Sequence, residues 1–438
     1  MVIKAILAAM LVLAGTFGAD RVWAQKPEGQ LLKYVAVSRH GVRSPTLDPG
    51  ELNTWSRQPW PEWPCCKADL TDRGGRLVSL MGAYYRDYLD GEGVFVKDTC
   101  PSHESVYVYA DVAERTRATA ASMLKGFAPT CALPVWTGTS GPVDAVYHPV
   151  QAGVCTMDQD RAKNDILKRA GGSVDKVFEE PANRAALATL QSVLGCCQPE
   201  LCKKFGKGDH CTLSDLPDTI VADDKSKGVS LHGKLDIAST AAEVLLLEYA
   251  QGFDKRRVGW GRVDPGQMLQ TFRLHTLAFD VMQRTPYVAA RLGSSLLAQV
   301  DLALGGPAVA GRPVGEEMKK ASFVFFGGHD TNIANLAAML DTTWKQNGYQ
   351  KDQTPPAGAL VFELRRRADQ SLWVSTSYVA QSLAQLRGAP SRMTPAAAPT
   401  KTPLKLPGCS TNDAGYPCKA DDFHHTIARA LDTECLSR

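Results

Sequence analysis

"LLKYVAVSRHGVRSP", Leu31 to Pro45, decides how the rest of the chain is read. Its first part, Leu31 to Ser38, is short, apolar and β-branched, and a segment with glycine and proline follows at once. That pattern predicts a buried strand ending in a loop, and the loop carries Arg39, His40 and Arg43. "SVYVYA" (Ser105 to Ala110) and "SFVFFGG" (Ser322 to Gly328) have the same form, each running into polar residues and then a helix-like stretch. Such strand-loop-helix units build a parallel sheet with helices on its faces. After Thr71, the residues Leu77, Leu80, Met81, Tyr84, Tyr85 and Tyr88 recur at helical spacing. An amphipathic helix there completes a βαβ crossover between the first two strands.

Between about Met157 and Val258 the texture changes to helical runs such as "ANRAALATLQSVL" and "DIASTAAEVLLLEYAQG", separated by a polar, cysteine-containing loop from Cys202 to Gly228. This predicts a smaller, mainly helical domain over 157–258, inserted into an α/β domain made of 25–156 and 259–438. Further helices are expected over Gln267 to Gln283 and Tyr287 to Leu304. "ALVFELRRRADQSLWVSTSYV" (Ala359 to Val379) reads as two strands joined by a polar turn, and the Pro- and Ala-rich Ala389 to Gly408 as an ordered loop at the edge. No internal repeat is visible.

The 438 residues are enough for a large core, and 44% hydrophobic with 22% charged content is ordinary for a folded, soluble protein. With 49 basic and 46 acidic residues the net charge is only +3, which provides no global field for nucleic acid or an acidic membrane. Residues 1–24 place one cation, Lys4, ahead of an apolar core from Ala5, and end on the small-residue pattern Val22-Trp23-Ala24, the plan of a secretory signal peptide. That core falls short of the roughly 20 residues a membrane span needs. The mature chain is therefore expected to be periplasmic or secreted. In such a compartment the 12 cysteines read as disulfides, and neither "CCK" nor "CCQPELC" has the paired C-x2-C spacing of a zinc site.

Ligands of open α/β sheets bind beyond the carboxyl ends of the strands. Arg39, His40 and Arg43 follow the first strand, Asp111, Arg115 and Arg117 the second, and His329, Asp330 and Thr331 follow "SFVFFGG". Permanently charged, forked guanidinium groups near a helix N-terminus suit a tetrahedral oxyanion, so the expected ligand is a phosphate group. A neutral imidazole can attack phosphorus while cations hold the equatorial oxygens, which makes His40 the candidate nucleophile. A departing alkoxide needs a proton, and Asp330, if held neutral, can donate it.

"RHGVRSPT" near the start of the mature chain, with "GGHDTN" about 290 residues later, resembles the histidine acid phosphatases, and specifically their exported bacterial branch of phytases and glucose-1-phosphate phosphatases. "ADVAERTRAT", "GVC" (Gly153 to Cys155), "RAGGS" (Arg169 to Ser173), "GWGR" (Gly259 to Arg262), "QRTP" (Gln283 to Pro286) and "PPAGALVFEL" match that branch in order. The resemblance implies the histidine phosphatase fold, with a phosphohistidine formed on His40 and a proton supplied by Asp330. It implies that Arg39, Arg43, Arg115 and His329 hold the phosphoryl group, and that Thr46, Leu47, Glu243, His275 and Thr331 line the substrate pocket. Arg117 is then a helix-surface residue. It also implies the disulfides Cys100–Cys131, Cys155–Cys435, Cys202–Cys211 and Cys409–Cys418, leaving the pairing of Cys65, Cys66, Cys196 and Cys197 open. Neither cofactor nor metal is expected, and the chain is expected to be a monomer acting on a small phosphomonoester.

One departure bears on substrate. The phytase-type pattern usually continues with Lys where this chain has Leu47, and a second basic position falls on Leu292, beside Arg291. Fewer cations favour inositol hexakisphosphate less, which keeps glucose 1-phosphate or a broader range of sugar phosphates as the alternative. A phosphotransferase or mutase of the same chemistry fits the signal peptide poorly, and no G-x-x-x-x-G-K-[ST] loop supports nucleotide binding. An exported phosphate-binding protein would share the fixed donors, but would not need a nucleophilic histidine paired with an acid.

Overall fold

The computed structural model describes residues 28–138, 141–307, 314–394 and 397–436. The segment read as a signal peptide lies outside them. In chain order the strands are β1 (Gln30–Arg39), β2 (Val106–Ala110), β3 (Trp136–Thr137), β4 (Thr219–Asp223), β5 (Gly228–His232), β6 (Phe323–Gly328), β7 (Ala359–Arg366), β8 (Leu372–Ala380), β9 (Thr400–Leu404) and β10 (Cys418–Lys419). The longer helices are α1 (Asp72–Gly91), α2 (Glu114–Phe127), α3 (Gln159–Arg169), α4 (Pro181–Leu194), α5 (Lys234–Gln251), α6 (Pro265–Met282), α7 (Pro286–Ala303), α8 (Asp330–Met339) and α9 (Ala420–Ala430).

The main sheet is mixed, in the order β10-β8-β7-β1-β6-β2-β3 with β9 paired to β8. β1, β6, β2 and β3 run parallel to one another, while β7, β8, β9 and β10 extend the sheet by antiparallel pairing. β1 is apolar along its length because both faces are covered. Val35 and Val37 point into a core with Leu296, Val300, Ile333 and Leu336, whereas Tyr34 and Ala36 point into another with Met81, Tyr85, Met123 and Phe127. Helices α1 and α2 can cross closely because Gly82 lacks a side chain: a Cβ there would lie 2.0 Å from the Met123 carbonyl oxygen.

A further hydrophobic cluster joins α3, α4, α5 and α6 through Ile166, Leu190, Leu245 and Val281, and continues to Val288. Within the stretch expected to be a polar loop the chain forms β4, which pairs antiparallel with β5 where that stretch ends. Only Ile220 of β4 is buried, so the alternation that marks a strand is almost absent from its sequence. The Pro- and Ala-rich loop likewise supplies a strand, β9, whose Pro403 is tolerated because it sits at the edge of the sheet.

Disulfides join Cys100 to Cys131, Cys155 to Cys435, Cys202 to Cys211 and Cys409 to Cys418, the pairs the resemblance implies. The neighbours Cys196 and Cys197 are bonded to each other across a cis peptide, and Cys65 and Cys66 are free thiols.

Candidate active site

The register of the parallel strands brings the three candidate loops together. Arg39 lies opposite Gly328 across β1 and β6, and Ala110 of β2 lies opposite Gly327. The backbone past β1 stays tied down: His40 N–H donates to the Gly328 carbonyl at 2.9 Å, and Ala357 N–H to the His40 carbonyl at 3.0 Å. The following loop is held by Thr71 N–H to the Val42 carbonyl and Ser44 N–H to the Asp69 carbonyl, at 3.0 and 3.1 Å. His40, Arg39, Arg43, His329 and Asp330 are buried at this edge, and α8 begins at Asp330.

Nδ1 of His40 lies 2.9 Å from the Gly41 carbonyl oxygen, so its proton sits on that nitrogen and the lone pair is on Nε2. Burial, reinforced by the charges of Arg39, Arg43 and Arg115, holds the imidazole well below its ordinary pKa. It is therefore neutral and nucleophilic. Arg39 donates to the Thr354 carbonyl at 2.5 Å, bonds Glu243, and lies 3.0 Å from Asp330 Oδ2. Burial brings Arg43 down to about 10, which leaves it charged at neutral pH. Its guanidinium is 3.9 Å from the same Glu243 oxygen. Arg115 approaches His329 Nδ1 at 3.4 Å, while His329 Nε2 is 2.7 Å from Asp111 Oδ2.

Burial alone would push the Asp330 carboxyl up, but the charge of Arg39, with His40, His275 and Arg43, outweighs it and holds the group well below the carboxylate range. Asp330 is thus paired as the counter-ion of Arg39. Glu243 enters from α5 as the second counter-ion, and His275 of α6 lies 4.0 Å from its other oxygen, with Nδ1 against Ser239. Thr331 donates its backbone N–H to Asp330 Oδ1 at 2.9 Å. It also lines a cavity of 180 Å³ with His148, Gln283 and Leu292, and among the described residues no Asp, Glu, Lys or Arg side chain lines that cavity. The outer pocket positions are less central: Thr46 is exposed and Leu47 is half-buried against the helical cluster. Arg117 is exposed on α2.

Residues 30–379 match the family described as Histidine phosphatase superfamily (branch 2). The chain belongs to the histidine phosphatase superfamily. This histidine phosphatase is 37% identical to phytase AppA of Escherichia coli over 99% of each chain. It is 28% identical to the glucose-1-phosphatase of Providencia rettgeri over 91% of each. The structure of Hafnia alvei phytase in complex with tartrate superposes with a TM-score of 0.87 at 36% identity, covering 94% of this chain and 100% of that one. This histidine phosphatase is thus an enzyme of the acid phosphatase type, related over nearly its whole length to phytases.

Sequence reasoning did not single out His148. It stands one-third exposed beside Asp111, its Nε2 3.5 Å from Asp111 Oδ2, and it lies in no motif with a chemical reading. Asp111 was visible after the second strand, but its bond to His329 spans 218 positions, and no local pattern announces it.

Proposed function

We propose that this chain is an exported acid phosphatase that hydrolyses phosphomonoesters through a phosphohistidine. The observation that carries this is the buried His40, its Nδ1 against the Gly41 carbonyl oxygen so that Nε2 is the lone-pair nitrogen, in the field of Arg39, Arg43 and Arg115. The three guanidinium groups and His329 bind the phosphoryl oxygens, and Nε2 attacks phosphorus in line as the P–O ester bond breaks. The bound phosphate brings negative charge that offsets Arg39 and Arg43, which lifts the Asp330 carboxyl out of its depressed range and lets it take a proton. Asp330 passes that proton to the leaving oxygen. Its carboxylate then removes a proton from water, the water oxygen attacks the phosphohistidine, and inorganic phosphate leaves with His40 restored. In this reading the helical unit over 157–258 is a cap on the sheet edge, supplying Glu243, and the enzyme works as a monomer outside the cytoplasm.

Inositol phosphates are the first substrates to test, because relatives at 35–37% identity are phytases and one was crystallised with myo-inositol hexakis sulphate. Sugar monophosphates are the second, favoured by the cavity without cations beside Thr331 and by Leu47 and Leu292. Phosphate release by pure protein from inositol hexakisphosphate, glucose 1-phosphate and 4-nitrophenyl phosphate tests both. Release from none of the three would leave only a phosphate binder, and the ratio of kcat/KM values decides between the two substrate classes.

A further inference from the structure

We propose that Asp111, His148 and His329 form a binding site for one divalent transition-metal ion of the class of Zn²⁺ or Co²⁺. The three side chains come from separate segments, after β2, before the short helix Pro149–Ala152, and just before α8. Their ligand atoms all lie within 4.8 Å of one another. Nε2 of His329 and Nε2 of His148 approach the same Asp111 oxygen, at 2.7 and 3.5 Å. An ion with bonds of about 2.0–2.2 Å holds tetrahedral ligands roughly 3.3 Å apart, so modest side-chain shifts suffice. Two imidazoles and a carboxylate are donors that such ions prefer over Ca²⁺ or Mg²⁺.

A further observation points the same way. Asp111 Oδ1 is buried and, among the described residues, has no hydrogen-bond partner. An anion so enclosed has ligand capacity to spare. His148, with its side chain 33% exposed, gives an ion a way in, while Asp111 and His329 are buried. The cation Arg115 faces Nδ1 of His329, the opposite edge of the ring. On binding, the ion takes the place of the proton on Nε2 of the neutral His329 ring, that proton moves to Nδ1, and the contact of Arg115 with the Nδ1 lone pair is given up. The inference does not depend on the hydrolytic reading, and its test requires no turnover.

The test is Co²⁺ titration by calorimetry and visible absorption, on protein whose free Cys65 and Cys66 have been alkylated so that they cannot compete. One Co²⁺ per chain is expected, and His148→Ala and His148→Asn should each weaken it by about tenfold or more. An affinity within about twofold of the native value in either folded variant, or no binding by the native chain, would overturn the site. Diethylpyrocarbonate modification of His148 in the native protein, read by peptide mass spectrometry, is independent of any variant. Co²⁺ should slow it, and an unchanged rate refutes the proposal.

Discussion

At the scale of single residues, His40 and Asp330 sit in the same field of arginines and respond oppositely. Burial and the guanidinium charges keep the histidine neutral, and the same charges keep the aspartate ionised, so under the proposed mechanism phosphate arrives before Asp330 takes up its proton. His40→Ala should abolish phosphate release while the circular-dichroism spectrum is kept; substantial remaining turnover would remove the nucleophile. Asp330→Asn should reduce kcat by roughly 10²–10⁴ on alkyl phosphates, the usual contribution of general acid–base catalysis, and by much less on 4-nitrophenyl phosphate, whose leaving group needs little protonation. Because the acid must be protonated in the complex, kcat should fall as pH rises through the Asp330 pKa of the substrate-bound enzyme. A profile of kcat that stays flat from about pH 4 to 9 contradicts the assignment.

At the scale of elements, α1 and α5 hold the site from two sides. Gly74, in the first turn of α1, lets that helix pass under the Arg43 loop: a Cβ there would lie 2.1 Å from the Val42 carbonyl oxygen. Gly74→Ala should therefore lower thermal stability and raise KM together, since the displaced backbone carries Arg43. In α5, Glu248 is fully buried, its Oε2 accepting from Gly259 N–H at 2.9 Å, and burial pushes its carboxyl up to about 8. The unfolded chain would release that proton near pH 4.3, so between there and about 8 the folded state holds the extra proton. Stability from this group is then complete at acid pH and is lost as pH rises through 8. Melting temperature should be higher at pH 5 than at pH 8, and Glu248→Gln, which retains an acceptor for Gly259, should flatten that difference.

For the whole molecule, the disulfide Cys155–Cys435 joins positions 280 apart and ties the C-terminal segment to the helical cluster, in which both cysteines are buried. Cross-linking so long a loop restricts the unfolded chain strongly, and replacing both cysteines by Ser should cost roughly 2–5 kcal/mol in chemical denaturation. An unchanged denaturation midpoint would show that packing of α7 and the C-terminal segment suffices without the bond.

What could be read from the sequence was what is encoded locally. The apolar run of β1 broken by Arg39, His40 and Arg43, the strand-loop-helix form around β2 and β6, and the helical spacing of α1 are all short-range patterns, and they placed His40, the proposed nucleophile, at a strand's carboxyl end. The hairpin β4–β5 and the edge strand β9 were not legible, because one buried residue or a proline-rich run carries no alternating signal. Tertiary structure alone decided the electrostatics. Glu243 reaches Arg39 across 204 positions, Asp111 reaches His329 across 218, and His148 joins them with no motif of its own. The charge state of Asp330 follows from those long-range neighbours and from burial, and neither is a property of the residues beside it in the chain.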